Sequence, residues 1–172
     1  MDEPEAKKIL SEMIEIKSLP NEEEEITDYL EKLSNKKGFN TRRVNGNIVL
    51  EFKNNSNTAI HFNAHMDTVD ADPKRWEVTD PWLPKEVNGK LYGRGSSDLK
   101  GGITSLIGLA EEIDNIEDRP DVFIEFVRNE EYDGKGSREV IEWFQEKYDY
   151  KEEYAVLTEP TNLETIEIGC KG

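Results

Sequence analysis

Cysteine is nearly absent from this 172-residue sequence; Cys170 stands alone, which excludes an internal disulfide and any thiolate metal cage. Histidine is almost as scarce, with only His61 and His65. No apolar run approaches the ~20 residues that span a bilayer. The opening MDEPEAKK lacks the basic-then-apolar pattern of a secretory leader. Basic charge is short as well: 22 Lys and Arg against 38 Asp and Glu leave a formal net charge of −16. A surface that acidic repels phosphate backbones and anionic lipid, which argues against nucleic-acid and membrane partners. Halophilic adaptation would also explain the acidity, although lysine remains plentiful. Hydrophobic residues make up 35% and charged residues 35%, so much of the charge is expected on helix exteriors. The length suits one domain with a real core, and the expectation is a cytoplasmic enzyme or binding domain.

Helix and strand signals alternate along the chain, without repeats or a Gly/Ser linker. After Pro4, Ile9, Leu10, Met13 and Ile14 recur at helical spacing. Asn21 reads as an N-cap, with Glu24 completing a capping box and Glu22 to Glu25 forming a solvated acidic first turn. Ile26, Tyr29, Leu30 and Leu33 make the buried stripe of that helix, and Gly38 ends it. FNTRRV, Asn45-Gly46 and NIVLEF predict a hairpin. TAIHFNAH, DVFIEFV, YAVLTE and a short TIEIG follow as strands. Between them lie a helix opened by Gly101-Gly102, carrying Ile103, Leu106, Ile107, Ala110 and Ile113, and another begun at Ser137, with Val140, Ile141 and Phe144. This order predicts a mainly parallel mixed sheet with helices on both faces, an α/β, three-layer αβα sandwich.

In such sheets functional residues gather at the carboxyl ends of strands. That rule selects His65 and Asp67, Glu130 and Glu131, and Glu159. In HMDTV, His65 and Asp67 share a face of extended chain, so an imidazole can bind a metal while the carboxylate orients it. Alone, the pair is a weak signal, and a satisfied loop histidine is the favoured reading. His61 lies roughly 13 Å back along the strand at ~3.3 Å per residue, too far to share an ion, and reads as structural. LYGRGSSDLKGG bends sharply into a helix, with Asp98 just before it as a cation ligand or a simple helix cap. An acid there suits a cation and repels phosphate, and the spacing fits neither nucleotide-loop pattern. Glu130-Glu131 and Glu159 (in TEPT) are exposed charge or cation ligands.

HMDTV, WEVTDPW, GKLYGRGSSDLKGG, NEE and TEPT, in this order and spacing, resemble the co-catalytic zinc aminoacylase and carboxypeptidase family, the acetylornithine deacetylase and succinyl-diaminopimelate desuccinylase-like metallopeptidases. The resemblance runs from about Glu5 to Gly172. It implies that His65, Asp98 and Glu159 hold one zinc, with Asp98 bridging to a second held by Glu131. It further implies Glu130 as general base and Asp67 as the residue orienting His65. Such a site would acidify a shared water and polarise an amide oxygen, hydrolysing N-acyl amino acids or short peptides. His-plus-carboxylate ligation also tolerates cobalt and manganese.

The sequence departs from the family in having no histidine after residue 65, where the family's second zinc takes one from near the end of a much longer chain. Asp70 also stands where proline is usual. Residues 1–172 are therefore expected to be the amino-terminal part of the catalytic domain, ending where family members enter a lid and dimerisation domain. One zinc should bind better than two, and turnover should need another polypeptide. Apolar sheet surface left uncovered should favour a complementing chain or self-association. The rival reading is a non-catalytic metal-binding or interaction module that keeps the ligands without the chemistry.

Overall fold

The computed structural model describes residues 1–161 and Thr165; Cys170 and the expected TIEIG strand lie outside the described residues or largely so. Helix α1 spans Glu3–Glu15 and α2 Glu24–Lys36, followed by the hairpin β1 (Thr41–Val44) and β2 (Asn47–Phe52) and by β3 (Thr58–His65). A short hairpin, β4 (Lys85–Val87) and β5 (Lys90–Tyr92), precedes α3 (Lys100–Glu112), β6 (Asp121–Val127), α4 (Lys135–Lys147) and β7 (Glu152–Leu157). Among the described residues the main sheet has the order β1-β2-β6-β3-β7. It is mixed: β1, β2 and β6 pair antiparallel, whereas β3 pairs parallel with both β6 and β7.

Period-two alternation in the central strands divides the core into two layers. Ile48, Leu50 and Phe52 of β2 and Val122, Ile124 and Phe126 of β6 pack under α1, α2 and α3, against Ile9, Met13, Ile26, Leu30, Ile103 and Ile107. On the opposite face Val49, Phe123 and Val127 meet Val140 and Phe144 of α4. The result is a three-layer αβα sandwich. Asn45 and Gly46 both have positive φ, as the tight β1–β2 turn requires. The β4–β5 hairpin escaped the sequence reading although Asn88-Gly89 carries the same signal, with positive φ at both residues.

Three local expectations are corrected. Asn21 is not a helix cap: it has φ +67, and α2 starts after Glu23 with no side-chain cap bond. The acidic run Glu22–Glu25 is not uniformly solvated, because Glu23 is buried. Helix α4 begins at Lys135, ahead of Ser137, and its Ile141 is exposed rather than in the core. Gly136 lies in that first turn, close against the end of β6. A β-carbon there would sit 2.4 Å from the Arg128 carbonyl oxygen and 2.6 Å from Asn47 Oδ1, so only glycine lets the first turn press against the end of β6. Ile141 borders a groove of about 360 Å³ between α4 and β7, whose Tyr154, Val156 and Leu157 are also exposed.

The parallel arrangement of β6, β3 and β7 decides where chemistry can gather. His65 ends β3, the Glu130-Glu131 pair follows β6, and Glu159 follows β7, so all three strands deliver acids or imidazole to one edge. Asp98 reaches that edge from the loop before α3.

Candidate metal centre

His65 is buried, and its ring is held at Nδ1. Nδ1 lies 2.9 Å from the Asp67 backbone carbonyl oxygen, which sets Nδ1 as the donor in the neutral ring. Nε2 is then turned to the open edge, 3.0 Å from Asp98 Oδ1 and 3.9 Å from Glu159 Oε1. His65, Asp98 and Glu131 each offer a ligand atom, and these lie within 4.8 Å of one another. That span approaches the ~4 Å separating two ligands on opposite sides of one ion with bonds of about 2.1 Å. One imidazole and several carboxylates make a donor set suited to zinc, cobalt or manganese. The residues therefore fit a divalent ion. The Asp98–Leu99 peptide is cis.

Asp67 meets the His65 ring through its backbone carbonyl, while its carboxylate makes its closest bonds elsewhere. Its Oδ1 is 3.7 Å from His65 Nδ1, and the ring is held by the Asp67 carbonyl instead. Both carboxylate oxygens accept backbone hydrogen bonds across the strand ends, from Glu130 N at 3.1 Å and Glu131 N at 3.0 Å. Asp67 is fully buried, and these two donors satisfy a charge that would be costly alone. It thus ties the loop after β3 to the acidic pair after β6. Glu130 itself is exposed to solvent at the edge.

Two further anchors were invisible in the sequence. Ser18 donates its hydroxyl to the Met66 carbonyl and accepts from Thr68 N, gripping HMDTV from below. Lys100 is fully buried beside Asp98; its Nζ donates to the carbonyls of Met13 and Ile16 at the end of α1. Burial pulls its pKa down to about 7. Nothing local in a lysine following Asp-Leu signals such a role. His61, by contrast, sits where the sequence put it: Nδ1 meets Glu125 Oε1 at 2.7 Å, and the ring packs on Phe123 and Phe144.

Charge crowding leaves its mark on the titrating groups. Burial opposes charging His65, yet Asp67, Glu159 and Asp98 outweigh it, so the pKa is raised above 6.5. Burial also raises the Glu131 and Glu159 carboxyls above 4.5; the facing His65 partly offsets this, and neighbouring carboxylates add to it. All three groups hold protons more tightly folded than unfolded. Their contribution to stability is present below the unfolded values and is lost as pH rises through the folded ones. A bound cation needs the same atoms deprotonated, so its effect has the opposite sign. Stabilisation by saturating zinc is expected to be small near about pH 5 and to grow towards about pH 8. Melting curves with and without zinc across that range check it; stabilisation that shrinks with rising pH would contradict it.

Residues 61–171 match the model of Peptidase family M20/M25/M40. The succinyl-diaminopimelate desuccinylase of Rickettsia canadensis (strain McKiel) is 33% identical over 180 residues, covering 95% of this chain and 46% of its own length. Succinyl-diaminopimelate desuccinylase 2 of Ruegeria sp. (strain TM1040) is 30% identical, with coverage of 95% and 44%. The chain spans about half the length of the curated relatives it matches. Among solved structures, human carnosine dipeptidase 1 superposes with a TM-score of 0.75 at 20% identity, over 90% of this chain and 38% of that one. The metallo-carboxypeptidase Sso-CP2 from Sulfolobus solfataricus gives 0.74 at 22%, over 90% and 37%. At such identities the superpositions establish the α/β fold alone.

Proposed function

The chain belongs to Peptidase family M20/M25/M40, and from that premise we propose that it forms the amino-terminal, metal-holding part of a hydrolase that cleaves the amide bond of N-acyl amino acids or short peptides. The observation that carries this reading is the meeting of His65, Asp98 and Glu131 at one strand edge, within 4.8 Å. Glu159, 3.9 Å from the same imidazole, completes the ligand set. His65, Asp98 and Glu159 would hold one zinc, and Asp98 and Glu131 would face a second. Bound there, the ions supply Lewis acidity to the amide carbonyl and acidify a water.

The chain's own residues do the rest. His65 presents Nε2 as a lone-pair donor because the Asp67 carbonyl holds the proton at Nδ1. Glu130, exposed beside the ligands, takes a proton from the attacking water and returns it to the leaving amine. Its backbone is fixed by Asp67, which keeps base and ligand in constant register. Substrate contacts would fall largely to the part of the relatives' length that this chain does not span. The acidic chain would work in the cytoplasm, and no helix of the described residues is long and apolar enough to cross a membrane.

The test is hydrolysis of N-acetyl and N-succinyl amino acids, followed by release of free amine. The 172-residue chain with zinc is expected to show little or no turnover. Supplied with the remaining length of a relative as a second polypeptide, it should gain activity that falls by about 10²-fold or more in Glu130→Gln. Zinc binding without hydrolysis in any such mixture would favour the non-catalytic module instead.

A further inference from the structure

Four acids stand together at Glu22–Glu25, and only Glu23 is buried, at 4% exposure. A carboxylate leaves water at a steep cost unless donors replace its hydration. Its Oε1 accepts from Asn129 N at 2.9 Å, across 106 residues of sequence. Asn129 has φ +57, a conformation asparagine tolerates better than most residues, and it immediately precedes Glu130-Glu131. Its carbonyl accepts from Asp133 N and Gly134 N, closing the turn behind the pair. Its side chain is engaged too: Oδ1 accepts from Asn21 N at 2.8 Å, and Nδ2 donates to Asn21 Oδ1 at 3.2 Å.

Three consecutive backbone N–H groups, those of Asn129, Glu130 and Glu131, therefore end on two buried carboxylates, one on Glu23 and both oxygens of Asp67. Successive amides aimed at anions form a concave donor array, here filled by the protein's own acids. Asp67 fixes the pair from the β3 side. Glu23, on the turn that enters α2, fixes the bend just upstream. We infer that Glu23 is a positioning residue for the metal centre, holding the left-handed bend at Asn129 so that Glu131 faces His65 and Asp98. The inference rests on the metal reading proposed above.

Zinc titration by calorimetry and the visible spectrum of bound Co²⁺, both on the 172-residue chain, test it. Glu23→Ala removes the acceptor, and zinc affinity is expected to fall about 10- to 100-fold, as for other residues that orient ligands, with a changed Co²⁺ spectrum. Glu23→Gln keeps an oxygen for Asn129 N and should restore affinity to within about threefold of the parent, with the parent spectrum. A purely structural acid would move the melting temperature without this split in metal binding. If Glu23→Ala does not fold, Glu23→Asp retracts the acceptor by one methylene and is expected to lose about tenfold in affinity. A folded Glu23→Ala or Glu23→Asp that binds like the parent overturns the inference alone, as does a Glu23→Gln as weak as Glu23→Ala. A parent chain that binds neither ion overturns the metal reading and this inference with it.

Discussion

Asp98→Asn is expected to weaken zinc binding by more than about 100-fold while leaving the fold intact. The lower bound follows from residues that only orient a ligand, whose loss already costs 10- to 100-fold. Asp98 is proposed to face both ions, so removing its charge strikes both. The fold should survive because the Asp98 side chain is 52% exposed and its interaction is with His65 Nε2, which an asparagine of the same shape can still meet. Losing one of several crowded acids also relieves repulsion, since Asp98 is among the charges that raise the Glu131 and Glu159 carboxyls. Calorimetric titration and thermal melting of the metal-free variant measure the two effects. Parent-like affinity would remove Asp98 from the ligand set.

Asp67→Asn should do the reverse, damaging fold and site together. The buried carboxylate accepts two backbone N–H groups, one on each oxygen. An asparagine keeps one acceptor and turns an NH₂ towards the other amide, leaving two donors opposed in the interior. Losing a charge-assisted bond and stranding a buried donor is expected to cost about 3 kcal/mol. Denaturant unfolding of the metal-free protein reads that loss directly. Because the displaced amides belong to Glu130 and Glu131, zinc affinity should fall by about 10- to 100-fold as well. A variant as stable as the parent would mean that Asp67 does not hold the acidic pair.

These two variants separate residues that would touch an ion from residues that hold the touching ones in place, and the sequence spoke unequally about them. Strand-end placement selected His65, Asp67, Glu130, Glu131 and Glu159 because each follows an apolar run of strand character and a parallel sheet points its carboxyl ends one way. The glycines around Asp98 marked a bend into a helix, where Asp98 read as a cation ligand or a helix cap alike. Glu23 was not legible, since four adjacent acids at a helix start look alike in sequence, and which one is buried depends on where Asn129 arrives from 106 residues away. Lys100 likewise reads as an ordinary charged residue until α1 is packed against α3, when its ammonium becomes the donor for two helix-end carbonyls. Asn21 went wrong for the opposite reason. Its spacing to Glu24 fits a capping box, but its backbone and side chain are claimed by Asn129, and that long-range pairing displaced the local one.

Hydrophobic periodicity, turn chemistry and charge by themselves determined the alternating α/β order, the hairpin at Asn45-Gly46, the two apolar layers and the acids that end the strands, because each depends on neighbours within a few residues. Tertiary structure alone decided the strand order, the division between antiparallel and parallel pairs, and which acids are buried with a backbone donor rather than left in water. Those outcomes depend on groups that meet only once distant segments pack. Burial makes an unmatched charge expensive enough that the fold must supply its partner.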